Sequence, residues 1–214
     1  MQSKPHVYFI VQLFTAVYLF AFGVYLMMSN HGDFVLFVNE YHTPFWDVFF
    51  KYWTYLGDGV MLGVVALIVL FINYYRFFAF LIAIGFQTIF VHIFKQWLYA
   101  GEPRPKTFFA DSLDQLNFVE GVVVRGFDSF PSGHTASAFT LGFFLIMICK
   151  NKWTQVLILV ATILVGISRV YILQHFGRDI FFGAIFGIIS VLLGFYLMRN
   201  KADSPKLQKG LLKR

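Results

Sequence analysis

The chain has 214 residues, of which 58% are hydrophobic and only 13% are charged. A soluble domain carries about 25% charged residues, so this composition excludes an ordinary soluble protein and indicates an integral membrane protein with a single domain over residues 1–214. The net charge of +6 does not point to nucleic acid, because the basic residues form no single patch and no nucleic-acid motif is present. The single cysteine, Cys149, excludes an internal disulfide.

The first apolar run covers Tyr8–Met28. As a helix it is long enough to cross about 30 Å of hydrocarbon. Lys4 precedes it, as in a signal peptide, but no small-residue cleavage site follows, and the run exceeds an apolar signal core of about 7–15 residues. We therefore predict an uncleaved first membrane helix.

The next stretch, Asp33–Asp58, mixes acids and aromatics instead of forming a continuous apolar run. Its aromatic residues recur at helical spacing, namely at Phe45, Trp46, Phe49, Phe50 and Trp53. This pattern predicts an amphipathic helix at the membrane interface, between the first and second membrane helices. An aromatic stripe that packs into the core is an equal alternative.

Five further apolar runs complete the pattern. They cover Val60–Ile72, Phe77–Leu98, Thr135–Cys149, Trp153–Ile167 and Ile180–Met198. Gly101, Pro103 and Pro105 end the third helix and begin a polar loop over Glu102–Phe130. A basic and flexible tail is expected over Lys201–Arg214. The predicted fold class is all-α: a polytopic membrane bundle of six helices with one interfacial amphipathic helix.

Six membrane helices place both termini on one side, and the distribution of cations indicates which side that is. Positive residues outside the motifs described below concentrate near the termini and at Arg76, Lys150 and Lys152. The positive-inside rule makes this side cytoplasmic. We therefore expect the 201–214 tail in the cytoplasm and the motifs on the extracytoplasmic side, and the compact size fits a bacterial inner membrane.

The motif Pro131-Ser132-Gly133-His134 stands where the polar loop enters the fourth predicted helix. A helix start presents unpaired N–H groups and a partial positive charge, which suit a phosphate. Ser132 can cap the helix, and Gly133 lets the backbone approach an anion closely. Taken alone, the motif fits equally well a simple helix cap beside an interfacial histidine.

A second group consists of Ser168-Arg169, His175 and Asp179. If the segment is helical, His175 and Asp179 share a face, and the carboxylate holds the ring with Nε2 free as a nucleophile. An interfacial His–Asp pair without chemistry is the alternative, but the guanidinium of Arg169 suits phosphate oxygens and favours the functional interpretation.

Further cations and polar groups accompany the third predicted helix. Lys95 ends it, and Arg104 follows between two prolines. Read alone, Lys95 is as easily an interfacial lysine that extends towards water. We expect Gln87 and His92 to be core polar residues with satisfied hydrogen bonds, and Arg178 to lie in solvent.

Together these residues resemble the type-2 phosphatidic acid phosphatase family, integral membrane lipid phosphatases whose core is related to soluble vanadium haloperoxidases. The family signature is Lys-x6-Arg-Pro, then Pro-Ser-Gly-His, then Ser-Arg-x5-His-x3-Asp. The chain matches the second and third motifs in full, at 131–134 and 168–179. In the first motif eight residues, not six, separate Lys95 from Arg104, and a bulge at Gly101-Glu102 would absorb the difference.

The resemblance implies hydrolysis of a lipid phosphate monoester or diphosphate. It implies that His175 attacks phosphorus, that Asp179 orients it, and that His134 acts as acid and base. The implied phosphate-binding residues are Lys95, Arg104, Ser132, Gly133 and Arg169, and no metal or cofactor is expected.

Candidate substrates are phosphatidylglycerol phosphate, undecaprenyl diphosphate, phosphatidic acid and a lipid A phosphate, of which the first two are favoured. No partner is indicated beyond the lipid substrate and the bilayer. Two alternatives remain at this point: a lipid phosphotransferase that uses the same intermediate, and a non-catalytic lipid-binding or transport protein.

Overall fold

A computed structural model describes residues 6–212, and within them the chain forms α-helices and no β-strand. The helices are α1 (Phe9–Met28), α2 (Asp33–Glu40), α3 (Pro44–Trp53), α4 (Gly59–Ile72), α5 (Tyr74–Ile93), α6 (Pro105–Phe108), α7 (Gly133–Ile148), α8 (Lys152–Tyr171) and α9 (Gly177–Met198). Short 3₁₀ turns cover Thr54–Gly57, Ala110–Gln115 and Arg199–Lys201, and a π-helical turn continues α5 over Phe94–Leu98.

The predicted all-α polytopic architecture is confirmed, although the membrane helices differ in length. Four segments are long and apolar enough to cross a membrane alone: Phe9–Met28, Tyr74–Leu98, Lys152–Tyr171 and Gly177–Lys201. The predicted second span, α4, has 14 residues and forms a bent pair with Pro44–Gly57, at 52°. The predicted fourth span, α7, has 16 residues, or about 24 Å at 1.5 Å per residue.

Helix α7 forms the centre of the bundle and fixes the position of α9. A Cβ atom on Gly187 of α9 would lie 2.6 Å from the carbonyl oxygen of Ala136, so glycine permits this close approach. At the same end of the bundle, the amide of Ser132 donates to the carbonyl oxygen of Asp179 at 3.0 Å. The backbones of the second and third motifs are therefore joined directly.

The aromatic stretch predicted as one interfacial helix forms two helices, because Thr43 and Pro44 start a new one. The Thr43 hydroxyl accepts from the Trp46 amide at 3.3 Å, and proline is favoured in a first turn. Phe50 is buried and packs on Tyr171, with ring centroids 4.7 Å apart, whereas Phe45 is 68% exposed. Helix α3 is thus amphipathic, with one face on the core and the other outward.

The end predicted for the fifth membrane helix is wrong. Helix α8 continues past Ile167 to Tyr171, so Ser168 and Arg169 belong to its last turns. Polar residues at the end of an apolar run suggested a loop, but both are buried and remain helical. The polar loop 102–130 also contains the short helix α6.

The flexible tail predicted over 201–214 is also wrong for its described part. The amides of Tyr74 and Tyr75 donate to the carbonyl oxygens of Lys209 and Leu207 at 2.8 and 2.7 Å. The first amides of a helix have no helical partner, and here the tail supplies one. Three cations used in the topology argument, Lys4, Lys213 and Arg214, lie outside the described residues.

Candidate active site

All three sequence motifs meet at one cavity of about 530 Å³, at the end of the bundle where α5 and α8 finish and α7 begins. Its lining includes Lys95, Arg104, Gly133, His134, Arg169 and His175. Ser132 and Asp179 are fully buried directly behind this lining. We call this space the catalytic cavity.

His175 and Asp179 are in contact, but not within one helix as expected. His175 lies in the connection between α8 and α9, and Asp179 is the third residue of α9. The distance from His175 Nδ1 to Asp179 Oδ2 is 3.4 Å. The same oxygen accepts from the Phe176 amide at 2.9 Å and from the Ser129 hydroxyl at 2.5 Å. Asp179 therefore caps α9 while it holds the imidazole.

The His175 ring is 2% exposed and lines the catalytic cavity. Burial is the main cause that holds the pKa of His175 well below its usual range, and the Arg104 and Arg169 guanidinium groups lower this pKa further. The ring is thus neutral at physiological pH. With Nδ1 directed at Asp179, Nε2 carries a lone pair suited to nucleophilic attack.

The first turn of α7 arranges the second motif. The Ser132 hydroxyl accepts from the Thr135 amide at 3.3 Å and from the Thr135 hydroxyl at 2.9 Å, so it acts as a helix cap behind the cavity. Gly133 and His134 line the cavity itself. His134 Nε2 lies 3.9 Å from Asp58 Oδ2, a carboxylate that the motifs do not include.

Arg104 is held by several main-chain and side-chain oxygens. Its Nε donates to the Phe127 carbonyl at 2.7 Å, and Nη2 donates to the Asp128 carbonyl at 3.1 Å. Its Nη1 donates to the Gln174 carbonyl and side-chain oxygens at 2.9 and 2.8 Å. This cation is therefore rigid, and it ties the 102–130 loop to the segment that carries His175.

Arg169 and Lys95 complete the motif cations. Arg169 Nη1 donates to the Thr54 hydroxyl at 2.8 Å, while its buried Nε–H has no hydrogen-bond partner among residues 6–212. Lys95 Nζ donates to the Asp128 carbonyl at 2.9 Å. The longer spacing from Lys95 to Arg104 is taken up by the π-helical turn and by Gly101, whose φ is +77°.

Two further cations, Lys51 and Arg125, line the catalytic cavity, and no described lining residue is an acid. The cavity is thus strongly electropositive and suits an anion. Arg178, expected in solvent, lies outside the lining and pairs with Glu102 at 2.5 Å. Within residues 6–212 there is no group of three or more His, Cys, Asp or Glu side chains placed to hold a metal ion.

Among the residues that contact the motif side chains, sequence reasoning missed Ser129, Thr54, Gln174 and Asp58. Ser129 bonds Asp179, Thr54 bonds Arg169, Gln174 bonds Arg104, and Asp58 approaches His134. Three of them lie next to a motif or at a predicted helix start, but no spacing rule distinguishes them. Thr54 is 115 positions from its partner, so only the fold reveals that contact.

A buried, neutral histidine among fixed cations at the end of apolar helices fits the class of integral membrane phosphatases. Residues 76–203 match the family described as the PAP2 superfamily. The chain therefore belongs to the PAP2 superfamily of membrane lipid phosphatases, as the motifs predicted, and its enzyme class is that of phosphoric ester or diphosphate hydrolases.

Individual relatives agree with this assignment. A lipid A 4'-phosphatase of Bacteroides thetaiotaomicron is 28% identical over 186 residues, which cover 82% of each chain. The crystal structure of Aquifex aeolicus LpxE superposes with a TM-score of 0.67 at 28% identity, covering 78% of this chain and 94% of that one. A PAP2-type phosphatidylglycerolphosphate phosphatase from Bacillus subtilis shares the fold, with a TM-score of 0.60 at 23% identity, covering 89% and 94% of the two chains.

Proposed function

We propose that the protein hydrolyses a phosphate monoester or diphosphate of a membrane lipid, through a phosphohistidine at His175 and without a metal ion. The observation that carries this proposal is the neutral, buried ring of His175, placed between Asp179 and a cavity lined by cations. A pure lipid binder would need the cations but not this oriented nucleophile.

In the first step, His175 Nε2 attacks phosphorus and the bond from phosphorus to the leaving oxygen breaks. His134 donates a proton to that oxygen, and the Asp179 carboxylate stabilises the positive charge on His175. In the second step, His134 takes a proton from water, the water oxygen attacks phosphorus, and the N–P bond breaks. Inorganic phosphate leaves, and both histidines return to their starting states.

The cations bind the phosphate oxygens as negative charge develops. The unpaired Nε–H of Arg169 is a donor that a phosphate oxygen would satisfy. Gly133 offers its N–H at the start of α7, and Lys95 and Arg104 add fixed charge. Ser132 supports this site as the cap of α7. Asp58 stabilises the protonated form of His134 from 3.9 Å.

A second cavity of about 530 Å³ supports a lipid as the substrate. It runs between α4 and α5, is lined mainly by apolar atoms, and shares Val91 and Lys95 with the catalytic cavity. We call it the lateral groove. The groove is open beside Gly59 and Gly63, because a Cβ on either residue would meet no atom within 4 Å. A hydrocarbon chain fits here while its phosphate reaches the cations.

The extracytoplasmic orientation also belongs to the proposal, together with a bacterial inner membrane and a cytoplasmic 201–214 tail. It rests on the cations at Arg76, Lys150 and Lys152, at the opposite end of the bundle from His175. Cys149 follows α7 at that end. A membrane-impermeant thiol reagent should label it only after lysis, and labelling in intact cells would reverse the orientation.

The central experiment measures phosphate release by the detergent-purified protein from phosphatidylglycerol phosphate, undecaprenyl diphosphate, phosphatidic acid and lipid A. We expect release that persists in EDTA and is inhibited by vanadate. His175→Ala should abolish it, whereas His134→Ala should still accumulate some phosphoenzyme. Ser190→Ala is the control, since within the described residues this buried hydroxyl bonds only the Phe186 carbonyl, away from the cavity. Normal turnover by His175→Ala would disprove the mechanism.

A further inference from the structure

The lateral groove is lined by two polar side chains that the reaction at phosphorus does not use. Gln87 on α5 is 6% exposed and Ser137 on α7 is 8% exposed, and both side chains line the groove. Neither side chain has a hydrogen-bond partner among residues 6–212, although helical hydroxyls at Thr15, Thr162 and Ser190 bond main-chain carbonyls. The expectation that Gln87 is a satisfied core residue is therefore wrong.

The depth of Gln87 shows which part of a bound lipid it would meet. Gln87 precedes Lys95 by eight residues on α5 and its π-helical continuation, which places it about 12 Å deeper along the helix axis. A phosphate held at Lys95 does not extend that far. Gln87 therefore faces the part of the lipid below its phosphate, and Ser137, four residues or about 6 Å into α7 from Gly133, lines the same groove.

Unpaired amide and hydroxyl groups in an apolar groove are costly unless a ligand pairs with them. A polyprenyl chain offers no partner, because its hydrocarbon carries no oxygen or nitrogen. An acyl chain does, through the carbonyl oxygen of its ester or amide linkage or through a chain hydroxyl. An apolar chain would leave both groups desolvated, so the groove also selects against it.

We propose that Gln87 and Ser137 determine specificity by hydrogen bonding an oxygen atom on the acyl part of the lipid, and that the substrate is an acylated lipid phosphate and not a polyprenyl phosphate. This inference rests on the proposed function. It narrows the candidate substrates and disfavours undecaprenyl diphosphate.

The test compares kcat/KM for wild type and Gln87→Leu on lipid phosphates of matched chain length: acyl ester, hydroxyacyl ester, dialkyl ether and polyprenyl. One lost hydrogen bond corresponds to a fall of about 5- to 10-fold. We expect that fall for an acyl substrate only, whereas kcat/KM for the ether and polyprenyl phosphates should stay the same or rise, because leucine removes the desolvation cost of the unpaired amide. The two acyl substrates distinguish a carbonyl from a hydroxyl partner.

Three controls make the result decisive. Para-nitrophenyl phosphate has no chain, so its unchanged hydrolysis shows that Gln87→Leu folds. Ser137→Ala should reproduce part of the effect, and Ser190→Ala, a matched loss of a buried hydroxyl outside the groove, should not. Equal losses on all lipids, or no loss on any, would overturn the inference. A wild-type protein that releases phosphate from no lipid would instead refute the proposed function.

Discussion

Ser129→Ala should slow catalysis although it changes no residue of the three motifs. The Ser129 hydroxyl donates to Asp179 Oδ2 at 2.5 Å, and both side chains are fully buried. A hydrogen bond to a charged group contributes about 1.5–3 kcal/mol. Because 1.4 kcal/mol corresponds to a factor of ten, kcat should fall by roughly 10- to 150-fold. The carboxylate would keep the Phe176 amide and its contact with His175, so some activity should remain.

The assay is steady-state phosphate release across a substrate series, so that kcat and KM are separated. KM should change little, because Ser129 does not line the catalytic cavity. Ser129→Thr keeps the hydroxyl and should recover most of the rate. Ser190→Ala removes an equally buried hydroxyl, bonded at 2.6 Å to a carbonyl, and should leave kcat unchanged. An unchanged kcat in Ser129→Ala, or a loss that Ser190→Ala matches, would refute the positioning role.

Four further changes test the site and the groove. Arg104→Ala should reduce kcat/KM at least 10-fold more than Lys95→Ala, because within residues 6–212 the Arg104 side chain makes four hydrogen bonds and that of Lys95 makes one; equal losses would disprove this. Gly63→Leu should fill the lateral groove without strain and lower kcat/KM for long-chain lipids by about 10- to 100-fold, since each buried methylene contributes about 0.8 kcal/mol, while para-nitrophenyl phosphate is unaffected. Asp58→Asn keeps the cap on α4 but removes the charge beside His134, the proposed acid and base, so kcat should fall up to about 5-fold, as for other partly exposed ion pairs; an unchanged kcat and pH profile would exclude a role for Asp58 in protonating His134. His175 stays neutral in the folded protein, whereas the same side chain in the unfolded chain binds a proton near pH 6.5. The free energy of unfolding should therefore fall as pH drops below that value, by at most about 1.4 kcal/mol per pH unit. The melting temperature of His175→Gln should depend less on pH between 7 and 5 than that of wild type, and an identical dependence would contradict this.

The sequence predicted most of the fold because hydrocarbon imposes a strict rule: apolar runs such as Tyr8–Met28 have few alternatives to a membrane helix. Predictions from the sequence were wrong where a segment is surrounded by protein and not by lipid. Because Ser168 and Arg169 are polar, the sequence predicts that the fifth helix ends before them, yet both are buried within α8. The charge of the 201–214 tail predicts flexibility, but charge does not reveal that the tail's carbonyl groups accept hydrogen bonds from the start of α5.

For the site, spacing predicted the contact of His175 with Asp179 but not its cause. The four-residue interval suggested one helix, whereas the contact arises because Asp179 caps α9 and His175 precedes the cap. The residues that hydrogen bond to the motif side chains could not be predicted from the sequence. Thr54 and Ser129 act across long stretches of sequence, and such contacts depend on how the helices pack.

The direct backbone bonds between the motifs have a practical consequence for identifying the native lipid. The Ser132 amide donates to the Asp179 carbonyl at 3.0 Å, and the His175 amide donates to the Arg169 carbonyl at 3.2 Å. These bonds do not involve the imidazole, so replacing it with alanine should leave the cations and the groove in place. Such a protein would act as a substrate trap. Mass spectrometry of lipids that remain bound to it during purification from its own membrane would read out the molecule it has evolved to hold.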